Sequence, residues 1–122
     1  MPTIRENLLR VRERIERAAQ RAGRETKEIK LVAVSKTVEV GRIREAIEAG
    51  ASILGENYVQ EAQKKIEALG RPGSWHFIGH LQSNKAKYAV RLFDVIHSVD
   101  SIPLAEELDR RAVHADLVIK VM

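Results

Sequence analysis

The residue that promises most chemistry in this chain is a lysine at the end of an apolar run. Leu31-Val32-Ala33-Val34-Ser35 leads directly into Lys36-Thr37. A lysine held among apolar neighbours has its ammonium form disfavoured, and the free amine can condense with an aldehyde to give a Schiff base. Lys36 shares strand parity with Val32 and Val34 and so extends their row. By residue physics alone the same residues more readily describe a solvated lysine closing a strand, since lysine is seldom buried. Polar and glycine clusters follow three other apolar runs: Gly55-Glu56-Asn57-Tyr58, then Gly79-His80-Leu81-Gln82-Ser83-Asn84-Lys85, then Val99-Asp100-Ser101. Metal chemistry is poorly served. His76 and His80 are four apart, but the first falls in a predicted strand and the second in the loop beyond, with no carboxylate at ligand spacing. His97 and His114 read as structural or surface residues. The absence of cysteine excludes disulfides, thiolate metal sites and cysteine nucleophiles. Residues 37–41 do not form a phosphate-binding glycine loop, because neither Gly-x-Gly-x-x-Gly nor the Walker pattern is present.

These clusters need elements to position them. Thr3 and Glu6 fit a capping box that opens a helix, and Leu8, Val11, Ile15, Ala18 and Ala22 recur at three- and four-residue steps along it, with Gly23 as its stop. A strand over residues 29–35 is apolar on both parities, as a parallel strand covered on both faces requires. The pattern then alternates. Helices are predicted over 40–49, 58–69, 84–92 and 103–113, and strands over 52–54, 75–78, 95–98 and 116–122. Val59, Ala62, Ile66 and Leu69 form the inward stripe of the second of these helices. Strict β-α alternation with short connections means a parallel sheet. Both a doubly wound, flavodoxin-like open sheet and the first five strands of a (β/α)8 barrel satisfy it. In either architecture the residues just after each strand gather at one edge, and the four polar clusters all occupy that position.

Composition narrows the classes. The chain has 122 residues, 44% hydrophobic and 31% charged, an ordinary globular balance for one domain. No apolar run reaches the roughly 18 residues of a membrane span, and the N-terminus does not read as a signal peptide, so the cytoplasm is the expected location. Net charge is +4, and seven arginines fall between Arg5 and Arg24. Together with Lys85 and Lys87 they raise a basic nucleic-acid-binding module as an alternative, but Glu6, Glu13, Glu16 and Glu25 interrupt any single-sign stripe.

The blocks around Lys36, around Gly55-Glu56-Asn57-Tyr58-Val59-Gln60-Glu61 and from Trp75 to Lys85 resemble the pyridoxal phosphate homeostasis proteins, with His97-Ser98-Val99-Asp100-Ser101 as a shorter fourth block. The resemblance runs over essentially all 122 residues. It implies an α/β fold: the N-terminal part of a pyridoxal 5'-phosphate (PLP)-binding TIM-type barrel like the alanine racemase N-terminal domain, preceded by an extra helix. It implies PLP held as a Schiff base on Lys36, with Asn57 facing the cofactor ring and Gln82, Ser83 and Asn84 lining the third mouth. It implies a carrier that catalyses no reaction and hands PLP to PLP-dependent apoenzymes. A PLP-dependent racemase or decarboxylase on the same barrel would need a second, β-rich domain, which no segment here encodes.

Members of that family continue through three further strand–helix units, so residues 1–122 read as a single partial barrel domain, truncated after the fifth strand. Barrels of this type place their phosphate site after strands seven and eight. No phosphate-binding residue is therefore assigned, and PLP binding is expected to be weak. Unpaired first and fifth strands are expected to favour self-association. Met122 stands where relatives often carry asparagine; Lys120, in parity with Val118, reads either as facing the pocket and lowering the Lys36 pKa or as an exposed lysine with no such role.

Overall fold

The computed structural model of the chain describes residues 2–122. The first helix, α1 (Ile4–Arg21), begins at the predicted capping box: Thr3 Oγ1 accepts from the Glu6 N–H at 3.1 Å, and the Glu6 carboxylate accepts from the Thr3 N–H at 3.3 Å. The chain then runs β1 (Ala33–Val34), α2 (Val40–Glu48), β2 (Ile53–Glu56), α3 (Val59–Leu69), β3 (Ser74–Phe77), α4 (Ala86–Leu92), β4 (Val95–Ile96), α5 (Ile102–His114) and β5 (Lys120–Val121). Single 3-10 turns at Thr26–Glu28 and Ser83–Lys85 precede β1 and α4. Ser101 caps α5, its hydroxyl accepting from the Leu104 N–H at 3.2 Å, with Pro103 in the first turn.

Every strand pairs in parallel with the next, in the order β1-β2-β3-β4-β5. A flavodoxin-like sheet reverses direction at a switch point; this one does not. The helices follow the same sequence, α1 packing on α2, α2 on α3, α3 on α4 and α4 on α5. Sequential strands under a sequential row of helices form an arc of a (β/α) barrel, not closed between β1 and β5.

Strand alternation divides the sheet into two faces. Ala33, Leu54, Trp75, Phe77 and Ile96 meet the helices, where Ile43, Ala62, Ala89, Leu104 and Leu108 complete the core. Trp75 is fully buried, and its indole N–H donates to the Gly70 carbonyl at 3.0 Å. The opposite row includes Val32, Gly55 and Ile78. A Cβ on Gly55 would lie 2.8 Å from Val32 Cγ1 and 3.1 Å from Ile78 Cδ1, so the missing side chain lets these neighbours close over the strand.

Three expectations need correction. The first and fifth strands are two-residue ladders rather than the predicted seven, and β4, with neighbours on both sides, is likewise two residues rather than four. The second strand extends through Gly55 and Glu56, residues expected in the mouth. On α1 Ala19 is buried and Ile4, Leu8 and Ile15 are half-buried, whereas Val11, Ala18 and Ala22 are exposed. The helix leans on α2, with Arg12 donating to the Gly50 carbonyl at 2.7 Å, and this contact turns the predicted stripe partly to solvent.

Candidate functional site

The ladder between neighbouring strands continues past their formal ends. Ser35 N–H donates to the Gly55 carbonyl at 2.9 Å, and Ile78 N–H donates to the Glu56 carbonyl at 2.8 Å. Lys36 and Asn57 therefore occupy matching places at the carboxyl ends of β1 and β2, two residues beyond the paired Val34 and Gly55. Adjacent strands lie about 4.8 Å apart. Asn57 is half-buried, and its side-chain Oδ1 is buried with no hydrogen-bond partner among the described residues. Gly79 holds it from the other side: a Cβ there would stand 2.5 Å from the Asn57 carbonyl oxygen.

A cavity of about 470 Å³ opens between the ends of β2 and β3, with Asn57, Tyr58, His80, Gln82 and Lys85 in its wall. The structure thus brings Asn57 and Gln82 together. Lys36 stands beside Asn57 across the ladder but is not part of that wall. Ser83 and Asn84 lie exposed on the 3-10 turn and do not line the cavity either. Lys36 is exposed, so the apolar enclosure expected around it is not supplied by the described residues; the chain turns to solvent directly after Ser35. Lys120 is exposed and keeps the concave-side parity of His76 and Gly55, but it stands away from Lys36. It lines a second cavity with Lys30, His76 and Val95, on a strand four removed from β1, about 19 Å along the sheet at the usual strand spacing.

Behind the mouth lies a cluster that the sequence reading did not identify. Glu56 is fully buried and faces α3, where Lys65 is also buried. Lys65 Nζ donates to Glu56 Oε1 at 3.1 Å and Oε2 at 3.0 Å, to Glu61 Oε2 at 2.7 Å, and to the Ser35 carbonyl at 2.5 Å. The Ser35 hydroxyl donates to Glu56, and the Thr37 N–H donates to Glu61 Oε2 at 2.5 Å. The Lys65 ammonium is the main cause of a Glu61 pKa below the usual carboxylate range, helped by the Thr37 N–H and opposed by partial burial. Two signals were available in the sequence. Glu56 has the parity of Leu54, and Lys65 stands between Ala62 and Ile66 on the inward stripe of α3.

On the concave side, His76 Nδ1 lies 2.9 Å from His97 Nε2, and the rings are 5.0 Å apart. Burial is the main cause of a His76 pKa below the ordinary histidine value; His97 and Lys30 add to the effect and Asp94 opposes it. His80 points elsewhere, its Nδ1 3.8 Å from Asp100 Oδ2. No group of three or more metal-binding side chains occurs among the described residues. The basic residues do not merge into one surface. Lys85 and Lys87 flank the Tyr88 ring on the α4 side, while arginine-rich α1 packs against α2. No described helix is long and apolar enough to cross a membrane.

Comparison with known proteins agrees with this arrangement. Residues 7–122 match the family model described as "Alanine racemase, N-terminal domain". The pyridoxal phosphate homeostasis protein of Pseudomonas aeruginosa is 46% identical over 112 residues, covering 91% of this chain and 49% of that protein. The protein of the same name from Escherichia coli is 48% identical over 113 residues, covering 89% and 48%. The chain thus spans about half the length of the curated relatives it matches. Among solved structures, one described as an unknown protein from Bifidobacterium adolescentis superposes with a TM-score of 0.92 at 39% identity, covering 98% of this chain and 53% of that one. PipY of Synechococcus elongatus, solved with PLP bound, superposes with a TM-score of 0.74 at 45% identity, covering 88% and 51%.

Proposed function

The chain belongs to the alanine racemase N-terminal domain family, and from that membership we propose that it is a PLP-binding module of intracellular PLP homeostasis, holding the cofactor as a Schiff base on Lys36 and catalysing no reaction of its own. One observation carries this reading: the exposed Lys36 amine and the buried, unpartnered Asn57 Oδ1 stand side by side at the carboxyl edge of the sheet. The likeness to PLP-bound PipY supports the choice of cofactor, and the names of the curated relatives support a homeostatic role.

The residues present fit such a group. When bound, PLP supplies an aldehyde, for which a lysine amine is the matching nucleophile. Asn57 offers a polar group whose hydrogen-bonding capacity the protein leaves unused. Gln82, with Tyr58 and His80, extends the polar wall of the neighbouring cavity. Ser83 and Asn84, on the turn that follows Gln82, lie outside that wall and are assigned no contact by the geometry. In complete barrels the phosphate site follows the seventh and eighth strands, so binding by these 122 residues alone is weak. The protein acts in the cytoplasm and passes PLP to PLP-dependent apoenzymes, and the one-sided strands β1 and β5 favour self-association.

Mixing the chain with PLP, reducing with borohydride and mapping the adducts by peptide mass spectrometry tests the reading. A dominant adduct at Lys36 that disappears in Lys36→Ala is the expected result. Labelling scattered evenly over the lysines overturns it.

A further inference from the structure

Resting on that reading, we infer that the buried Glu56–Lys65–Glu61 network is the device that positions Lys36, by holding the backbone on both sides of it. Among the described residues Lys36 has no anchor of its own beyond its carbonyl, which accepts from Thr37 Oγ1 at 2.6 Å. Its neighbours are held firmly. On the amino side, the Ser35 carbonyl accepts from Lys65 Nζ and the Ser35 hydroxyl donates to Glu56. On the carboxyl side, the Thr37 N–H donates to Glu61. One lysine between two glutamates thus joins β2 and α3 to the peptide groups that flank the reactive position.

Two further facts favour positioning over simple adhesion. Thr37 has φ +62°, in the left-handed region that is strained for a β-branched residue. Such a conformation persists only where surrounding contacts over-determine it, and the Glu61 carboxylate supplies that contact. Buried ionic clusters are also poor adhesives, because well-packed apolar side chains of the same volume often stabilise a fold as well or better. Charge at this place is therefore explained by what it holds. A fixed backbone on both sides of Lys36 limits where its amine can travel and lowers the entropy lost on capture of an aldehyde.

Glu61→Gln is the informative variant, because Glu61 is partly exposed and its replacement leaves the buried Lys65–Glu56 pair intact. Three quantities are read on the full chain: amide hydrogen exchange at Thr37, the acetic anhydride labelling rate of Lys36 relative to exposed Lys64, and the share of borohydride-trapped PLP at Lys36. Loss of one charge-assisted hydrogen bond should speed Thr37 exchange by about tenfold or more and lower the Lys36 share by a similar factor. Glu61→Asp should recover part of both, and Glu67→Gln, on the exposed side of α3, should change neither. Thr37→Gly frees the same backbone with the network intact and should also lower the Lys36 share. Unchanged Thr37 exchange and unchanged Lys36 selectivity in Glu61→Gln, or equal effects from Glu67→Gln, overturn the inference. If wild-type PLP labelling is scattered, the cofactor reading fails by itself. The positioning role is then decided by Thr37 exchange and acetic anhydride selectivity, which need no cofactor.

Discussion

The two faces of β1 and β2 carry opposite kinds of polar chemistry within one residue of each other. Lys36 and Asn57 lie at the open mouth, one exposed and one with an unpartnered buried oxygen. Ser35 and Glu56, immediately before them, face α3 and are fully engaged with Lys65. On these two strands the helix-side groups, Ser35 and Glu56, have their partners, and Asn57 at the mouth is left with capacity to spare. The alternation of a strand is enough to make this separation. It teaches that a group meant to hold a ligand and a group meant to hold the backbone can be neighbours in sequence without competing for the same hydrogen bonds.

The difference should be plainest in stability. Lys65→Met leaves the Glu56 carboxylate buried without its cation, and the expected loss in urea unfolding is about 3–5 kcal/mol. Lys36→Ala, one residue from the same network but on the mouth side, should stay within about 0.5 kcal/mol of wild type. Equal losses would mean that the two faces are one structural unit and would break the comparison.

A smaller effect sharpens the mouth side. Asn57→Ala removes a polar group with no internal partner, so PLP capture at Lys36 should fall about tenfold while stability changes by less than about 1 kcal/mol. A stability loss as large as that of Lys65→Met would place Asn57 with the scaffold instead.

The smallest effect concerns His76, on the concave side between these extremes. Its pKa is lowered in the folded state, chiefly by burial. The unfolded chain therefore takes up a proton at a pH where the folded chain does not, and stability declines as pH falls below the ordinary histidine value of 6.5. His76→Phe should flatten that slope in urea titrations between about pH 7 and 5, the range around the unperturbed value. An unchanged slope would mean that the His76–His97 contact does not govern it.

Much of this organisation was readable from residue order. The capping box at Thr3 and Glu6, the alternation of strands and helices, and the polar clusters after each apolar run all arise from local patterns, and the structure retains them. The blocks around Lys36, Asn57 and Gln82 carried the family, which the match over residues 7–122 shows. Errors arose where a pattern had two compatible outcomes. The apolar residues of α1 define more than one stripe, and only its lean against α2 selects Ile4, Leu8, Ile15 and Ala19. Residues 29–32 have strand composition, but the ladder to β2 pairs only Ala33 and Val34.

By itself the sequence determined the element types, the parity that sets Lys36 with Val32 and Val34, and the chemistry available at each strand end. Periodicity and side-chain identity are local quantities, and they survive without knowledge of neighbours. Periodicity left an open doubly wound sheet and a barrel arc both possible; the family resemblance pointed to the barrel, and the strand order shows it, because that order is a relation among segments that no single segment encodes. Tertiary structure alone decided that Lys65, nine residues from Glu56 in the chain, closes onto that carboxylate and onto the Ser35 carbonyl thirty residues away. A buried charge needs its partners in three dimensions, and the packing of α3 against β2, with Lys65 reaching the Ser35 carbonyl, is what supplies them.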